Sequence, residues 1–246
     1  MFGRVIVKIS GEGLSAGGDR HFDEAVVGDI ADQILRVISS GTETALVVGG
    51  GNFWRGRDRR KGMDKVRADQ IGMLGTVMNA IYLSEVFRMC GRAAHVMTPF
   101  AVNGFTEVYT RESAVEHMRR KEPVIFAGGT GHPFFSTDAI VALRACELDA
   151  DAVLYGKTID GVYDKDPKIE GAQKYRTVHY KTVVSKNLQV ADIPAIALTQ
   201  EQGIPSLVFK LLAPNAIVTA CENSDSIHSV LGGTIVSQKT EDEYYV

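Results

Sequence analysis

Cysteine is scarce in this sequence. It occurs three times, at Cys90, Cys146 and Cys221, widely separated and never as a CxxC pair. That spacing argues against a disulfide framework or a cysteine zinc site and fits a reducing compartment. No apolar run is long enough to span a bilayer. The opening Met1-Phe2-Gly3-Arg4 leads straight into a strand-like run, without the apolar core and small-residue cleavage site of a signal peptide. Charge of one sign is also lacking: 27 basic against 30 acidic residues leave −3, too little to recruit nucleic acid or an anionic membrane. Repeats and low-complexity linkers are absent. A cytoplasmic protein with neither a membrane nor a nucleic-acid partner is expected.

What is present is ordinary globular composition, 45% hydrophobic and 23% charged over 246 residues. At roughly 100–200 residues per domain this is one large domain or two small ones. No internal boundary is visible, so a single domain over 1–246 is expected, with an acidic tail at about 240–246 that frays around Glu241-Asp242-Glu243.

Val5 to Ile9 reads as a buried strand, followed by a glycine-rich loop containing Gly11, Gly13, Gly17 and Gly18. From Asp23 to Ser39, apolar residues recur at helical spacing (Val26, Ile30, Ile34, Val37, Ile38) and Gly41 supplies a stop. Thr44–Val48 is a second strand. A long helix carrying Ile71, Leu74, Met78 and Ile81 on one face runs to about Cys90. Strands follow at Ala93–Met97, Pro123–Ala127 and Ala152–Tyr155, with helices at Glu112–Lys121 and Asp138–Leu148 between them. Late strands are expected at Pro205–Phe209 and Gly233–Val236. Alternating strands and helices mean an α/β fold, a three-layer α/β/α sandwich with a central, mostly parallel sheet.

Three of these strands end in glycines: Ser10-Gly11-Glu12-Gly13, Gly49-Gly50-Gly51 and Gly128-Gly129-Thr130-Gly131. In a parallel sheet those ends share the edge where ligands bind. Glycine lets backbone N–H groups approach a phosphate closely, although a tight strand-to-helix turn wants glycine anyway. Three such loops together suggest a site for several phosphates. Two stock motifs fail. Gly11-Glu12-Gly13-Leu14-Ser15-Ala16 fits a dinucleotide fingerprint, but Gly17 and Gly18 prolong the loop and the second strand ends in Gly51-Asn52 rather than an acid. Gly156-Lys157-Thr158 resembles a P-loop, but Asp151 stands where the earlier glycine belongs.

Individual side chains have bland readings too. Lys8 could be an edge charge, yet Val7 and Ile9 beside it suggest burial, which is costly for a lone lysine. Asp69 could sit on a solvated helix face. Arg55, Arg57, Arg59, Arg60 and Lys61 could be a solvated loop or a nucleic-acid patch; Arg55 is read as phosphate-binding and the rest as solvent-facing. His132 has no second ligand at suitable spacing and is not read as a metal ligand. Trp54 and Phe134-Phe135 could pack core or stack on a base.

Several blocks then resemble the amino acid kinase superfamily and, within it, the bacterial UMP kinases. They are Lys8-Ile9-Ser10-Gly11-Glu12, Gly49 to Gly56, Asp69 with Gly72 to Asn79, Gly129-Thr130-Gly131-His132-Pro133-Phe134-Phe135-Ser136-Thr137-Asp138, and Asp160-Gly161-Val162-Tyr163 with Asp166-Pro167. The resemblance implies transfer of the γ-phosphoryl group of ATP to UMP, with Mg²⁺ carried mainly on nucleotide phosphates and no protein metal ligands. It implies catalytic roles for Lys8, Arg55 and Asp138, the last organising the lysine. ATP would meet Lys8, Ser10, Gly11, Gly51, Arg55 and Lys157, with Tyr163 and Asp166 on the adenosine. UMP would meet Gly50, Asp69 and the run Thr130, Gly131, His132, Pro133, Phe134, Phe135, Ser136 and Thr137. A homohexamer, inhibited by UTP and activated by GTP, is implied as well.

The sequence departs from the family pattern at His132, usually Asn, and at Lys157, usually Thr or Asn. It also departs at Lys210 in Val208-Phe209-Lys210 and at Asn215 in Pro214-Asn215. A superfamily kinase acting on a carboxylate or carbamate is the alternative enzyme, opposed by the Pro-Phe-Phe block. A non-catalytic nucleotide sensor or RNA-associated protein is the alternative outside enzymes, opposed by retention of Lys8, Asp138 and Asp166 together.

Overall fold

The computed structural model describes residues 1–18, 20–56, 59–222 and 224–245. Arg57 of the basic cluster lies outside them. In chain order the elements are β1 (Arg4–Ile9), α1 (Gly11–Leu14), α2 (Glu24–Ser39), β2 (Glu43–Val48), α3 (Lys65–Met89), β3 (His95–Thr98), β4 (Glu107–Val108), α4 (Arg111–Arg119) and β5 (Val124–Phe126). Then come α5 (Thr137–Glu147), β6 (Ala152–Lys157), β7 (Tyr175–His179), α6 (Tyr180–Ser185), α7 (Ile193–Glu201), β8 (Ser206–Lys210), α8 (Ala216–Glu222), α9 (Ser224–Ser229), β9 (Thr234–Ser237) and β10 (Glu243–Tyr244).

Among the described residues the strands form a single ten-stranded sheet ordered β10-β7-β9-β8-β6-β1-β2-β5-β3-β4. Neighbours run parallel except at β8–β9 and β7–β10. The apolar strands β1, β2, β5 and β6 lie at the centre, as expected for strands covered on both faces. Alternation along β1 divides the core. Val5, Val7 and Ile9 face a layer of α2, α3 and α8, where Ile30, Ile34, Phe87 and Ile217 are buried. Ile6 faces the opposite layer, with Val115 of α4, Ile140 and Val141 of α5 and Ile196 of α7. Side chains along a strand alternate faces, so Lys8 projects with Ile6 toward the α5 layer.

Helix starts follow local chemistry. Asp23, Asp64, Thr110, Ser136 and Asp192 each accept a backbone N–H of the following turn. Helix α3 behaves unusually. Its buried face is mostly small or polar (Ala68, Gly75, Thr76, Asn79, Ala80, with Val77 the one larger apolar residue) before it reaches Leu83 and Phe87. Ile71, Leu74, Met78 and Ile81 instead point outward, Leu74 being 52% exposed.

Two expectations need correction. The first glycine loop is not wholly irregular: Ser10 caps a one-turn helix, α1, by accepting from Gly13 N at 3.0 Å. The acidic tail is docked rather than frayed. β10 pairs antiparallel with β7, and Asp242 accepts from His179 N (2.8 Å) and Thr182 Oγ1 (2.7 Å). Tyr244 stacks on Tyr175 at 4.3 Å and donates to its hydroxyl at 2.7 Å.

Tyr244→Ala removes an aromatic pair and a hydrogen bond, and should cost about 1–2 kcal/mol of unfolding free energy with an unchanged denaturant slope. A urea midpoint equal to wild type would show that the docked tail contributes nothing.

Candidate active site

The three glycine loops leave the adjacent central strands β1, β2 and β5 at their carboxyl ends, and polar anchors hold them together. Gly49 N donates to Ile9 O at 2.9 Å, joining the first loop to the second. The fully buried Asn79 of α3 donates to Gly49 O (2.6 Å) and pairs amide to amide with Asn52 (2.7 and 3.0 Å). One turn earlier, Thr76 Oγ1 accepts from Gly128 N at 2.8 Å and so fixes the third loop. The helix can lie this close only because Gly50 lacks a side chain: a Cβ there would sit 2.7 Å from Gly72 O. Gly11 is constrained in the same way, since its Cβ would fall 2.7 Å from Gly51 N.

At this edge Lys8 Nζ lies 3.2 Å from Asp138 Oδ1, with both side chains largely buried. Asp138 stands in the first turn of α5, whose N-terminus Ser136 caps at 3.0 Å. Ser136 Oγ in turn donates to Asp192 Oδ2 at 2.5 Å, tying the starts of α5 and α7 together. In the paired strand β6, Tyr155 lies opposite Lys8 and Lys157 projects to the same face. Burial pushes the Lys157 ammonium below the usual lysine range; Asp138 opposes that shift and Lys8 adds to it. Asp138 is paired with Lys8, and the nearby Lys157 has no carboxylate of its own among the described residues. The Tyr155 hydroxyl is buried without a hydrogen-bond partner among the described residues, and burial keeps it a neutral phenol.

Two cavities meet here. One, of about 550 Å³, is lined by Ser10, Gly13, Gly17, Gly18, Gly51, Lys157 and Lys210. The other, of about 240 Å³, is lined by Gly50, Gly51, Asp69, Gly129, His132, Phe135, Ser136 and Thr137. Gly51 is common to both. A shallower extension carries Arg55, Arg59, Lys65 and the exposed Phe134. Asp69 Oδ2 accepts from Phe134 N at 2.8 Å, drawing the Thr130–Thr137 segment over the smaller cavity. Thr130 Oγ1 and His132 N close a turn at 3.1 Å, and Gly131 takes a left-handed φ of 79°. Arg55 forms an ion pair with Glu12 across the first loop.

The edge thus gathers Lys8, Ser10, Gly11, Gly51, Arg55, Asp138 and Lys157, with Gly50, Asp69 and the 130–137 segment beside them. Tyr163 and Asp166 are elsewhere, on the β6–β7 connection, and line neither cavity. The Tyr163 hydroxyl donates to Asp160 at 2.8 Å, and Asp166 accepts from Lys168 N at 3.0 Å. Asn79, Thr76, Asn52 and Lys210 carry no role in the sequence alone. The Gly72–Asn79 block holds the available signal, but nothing in it marks which polar residues turn inward.

A family model described as the amino acid kinase family matches residues 3–210, from β1 through β8. The chain belongs to the amino acid kinase family. Over 233 residues this amino acid kinase is 42% identical to a Streptomyces avermitilis protein named uridylate kinase, covering 94% of this chain and 92% of that one. The solved UMP kinase of Bacillus anthracis superposes with a TM-score of 0.92 at 34% identity, covering 100% of this chain and 99% of that one. That of Ureaplasma parvum gives 0.86 at 34% identity, over 95% and 98%.

Lys157 gives this amino acid kinase a checkable pH dependence. The folded state binds the Lys157 proton less tightly than the unfolded chain, so stability rises with pH through the window below the usual lysine value of about 10.4. Lys157→Met should flatten that rise and leave the ligand-free protein at least as stable at neutral pH. Urea midpoints for both proteins between neutrality and about pH 10 check this; a clear loss at neutral pH in the variant would contradict it.

Proposed function

We infer that this chain transfers the γ-phosphoryl group of ATP to UMP, giving ADP and UDP. The observation that carries the reading is that two cavities share Gly51 at the strand edge that also holds the Lys8–Asp138 pair, with the larger one walled by the first glycine loop. ATP is assigned to the larger cavity, its phosphates along Ser10, Gly11 and Gly51 and toward Lys157. UMP is assigned to the smaller one, its ribose at Asp69 and its phosphate at Gly50 and the 130–137 segment. The family resemblance and the uridylate kinase relatives support this division. The adenosine end is assigned to the Lys157–Lys210 side of the larger cavity; the adenosine roles of Tyr163 and Asp166 rest on the resemblance alone.

The acceptor phosphate is already ionised near neutrality, because its second pKa is about 6. A general base is not required. The chemical problem is to bring two anions together and stabilise charge as it spreads over the moving group. Lys8 is the cation that β1 delivers to this edge, and Asp138 orients it and shares its charge. Loop amides supply preorganised donors that need no rearrangement at the moment of transfer. Arg55 can exchange Glu12 for phosphate oxygens, with the bidentate geometry that guanidinium favours.

The oxygen donors at this edge fit a nucleotide-borne magnesium ion. Glu12 and Asp138 are each already opposed by a cation, so Mg²⁺ would be held by phosphates and its own waters. When bound it neutralises phosphate charge.

The outward Ile71-Leu74-Met78-Ile81 face of α3 supports assembly, and a homohexamer is proposed from the resemblance. UTP carries the same uridine as UMP and is proposed to inhibit by occupying its cavity; activation by GTP rests on the resemblance alone. Light scattering at micromolar concentration should give six times the chain mass, and a monomer would refute the assembly.

A coupled ADP-release assay should show Mg·ATP-dependent turnover of UMP well above CMP and AMP, with none of glutamate or aspartate. Lys8→Ala should lower kcat by roughly 10²–10³ while the protein stays folded. Equal turnover of AMP, or an undiminished Lys8→Ala enzyme, would overturn the assignment.

A further inference from the structure

At the other end of the parallel strands, away from the glycine loops, His95 opens β3 and Glu107 opens β4. His117 lies near the end of α4, and Glu122 in the turn from α4 to β5. The two imidazoles stack with centroids 3.4 Å apart and planes 22° from parallel. A carboxylate stands on each side of the pair. Glu107 takes His95 Nδ1 at 2.7 Å and lies 3.5 Å from His117 Nε2. Glu122 Oε2 lies 3.1 Å from His95 Nε2 and 2.7 Å from His117 Nδ1.

We propose that His95 Nε2, His117 Nδ1 and Glu122 Oε2 bind a divalent transition-metal ion of the zinc class. One atom from each of the three residues lies within 4.8 Å of the others, and all three residues are partly buried. Bonds of about 2.0–2.2 Å put neighbouring tetrahedral ligands roughly 3.4 Å apart, close to the spacing already present. His95 Nε2 is buried and makes no well-directed hydrogen bond. The tautomer that donates Nδ1–H to Glu107 leaves its lone pair on the Glu122 side. Glu107 thereby does for His95 what an outer carboxylate does for a metal-bound histidine: it fixes the tautomer and aims the free nitrogen. His117 Nδ1 already meets Glu122 at 2.7 Å, and binding the ion would move its proton to Nε2, on the Glu107 side. Two imidazoles and one carboxylate favour zinc, cobalt or nickel over magnesium, which takes oxygen ligands. With three protein ligands a fourth position is left for water or an external donor. The ion would clamp β3, α4 and the α4–β5 turn, at the outer part of the sheet.

The site is separate from the proposed nucleotide edge, so its test needs no turnover. The full chain, treated with chelator and freed of nucleotide, is titrated with cobalt(II) and then zinc(II). The expected result is one cobalt per chain with the intense visible absorption of a four-coordinate site, displaced by zinc, and a higher Tm with zinc. His117→Ala and the near-isosteric Glu122→Gln should each weaken binding at least tenfold and abolish the Tm rise. Absence of cobalt uptake by the wild type, or uptake equal in the wild type and a folded Glu122→Gln variant, would overturn the proposal.

Discussion

A lysine at the end of a central strand cannot be left without a partner. Lys8 shares its face of β1 with Ile6 and enters a layer of packed side chains, where an unpaired ammonium would be costly. The solution is Asp138, delivered by the first turn of α5. That requirement orders much around it: Ser136 must cap α5, and Asp192 must hold Ser136 against α7. The pair therefore links the sheet to two helices at the edge where the glycine loops emerge. Lys157 arrives on the same face from β6 and brings a second ammonium to that edge, lining the larger cavity.

The loops themselves are shaped from the other layer. Helix α3 gives up a conventional apolar face over its first half. It buries Gly75, Thr76 and Asn79, and uses the hydroxyl and amide to hold Gly128 and Gly49. Close approach at Gly50 makes this possible. The cost in ordinary hydrophobic burial is visible outside, where Ile71, Leu74, Met78 and Ile81 remain uncovered in the single chain. One helix thus anchors the glycine-loop edge and leaves an apolar face outside.

Much of this was legible in the sequence because it depends on local pattern. The α2 periodicity, the apolar central strands and the three glycine-ended strands set the sheet and its ligand-binding edge. What escaped had mixed or misleading patterns. Strand β7 (Tyr175–His179) is half polar and follows a long polar stretch. Helix α7 carries Pro194 in its first turn, and its apolar residues form no clear stripe. β4 has two residues. The tail looked solvated because it is acidic, yet Asp242 and Tyr244 are used in docking it. Within the site, Lys8, Asp138 and the loop glycines were nameable from the resemblance. The anchors Asn79 and Thr76, and the His95–His117–Glu122 cluster, depend on contacts between distant segments that spacing does not encode.

Asp138 positions Lys8, and no group is needed to remove a proton. The most direct measurement is the pH profile of kcat for wild type and Asp138→Asn. With an acceptor phosphate that is its own nucleophile, the acid limb belongs to the substrate, near its second pKa of about 6. Asp138→Asn should lower the rate across the profile and leave that limb in place. If the acid limb vanishes in the variant, the carboxylate is a general base and the central claim is wrong.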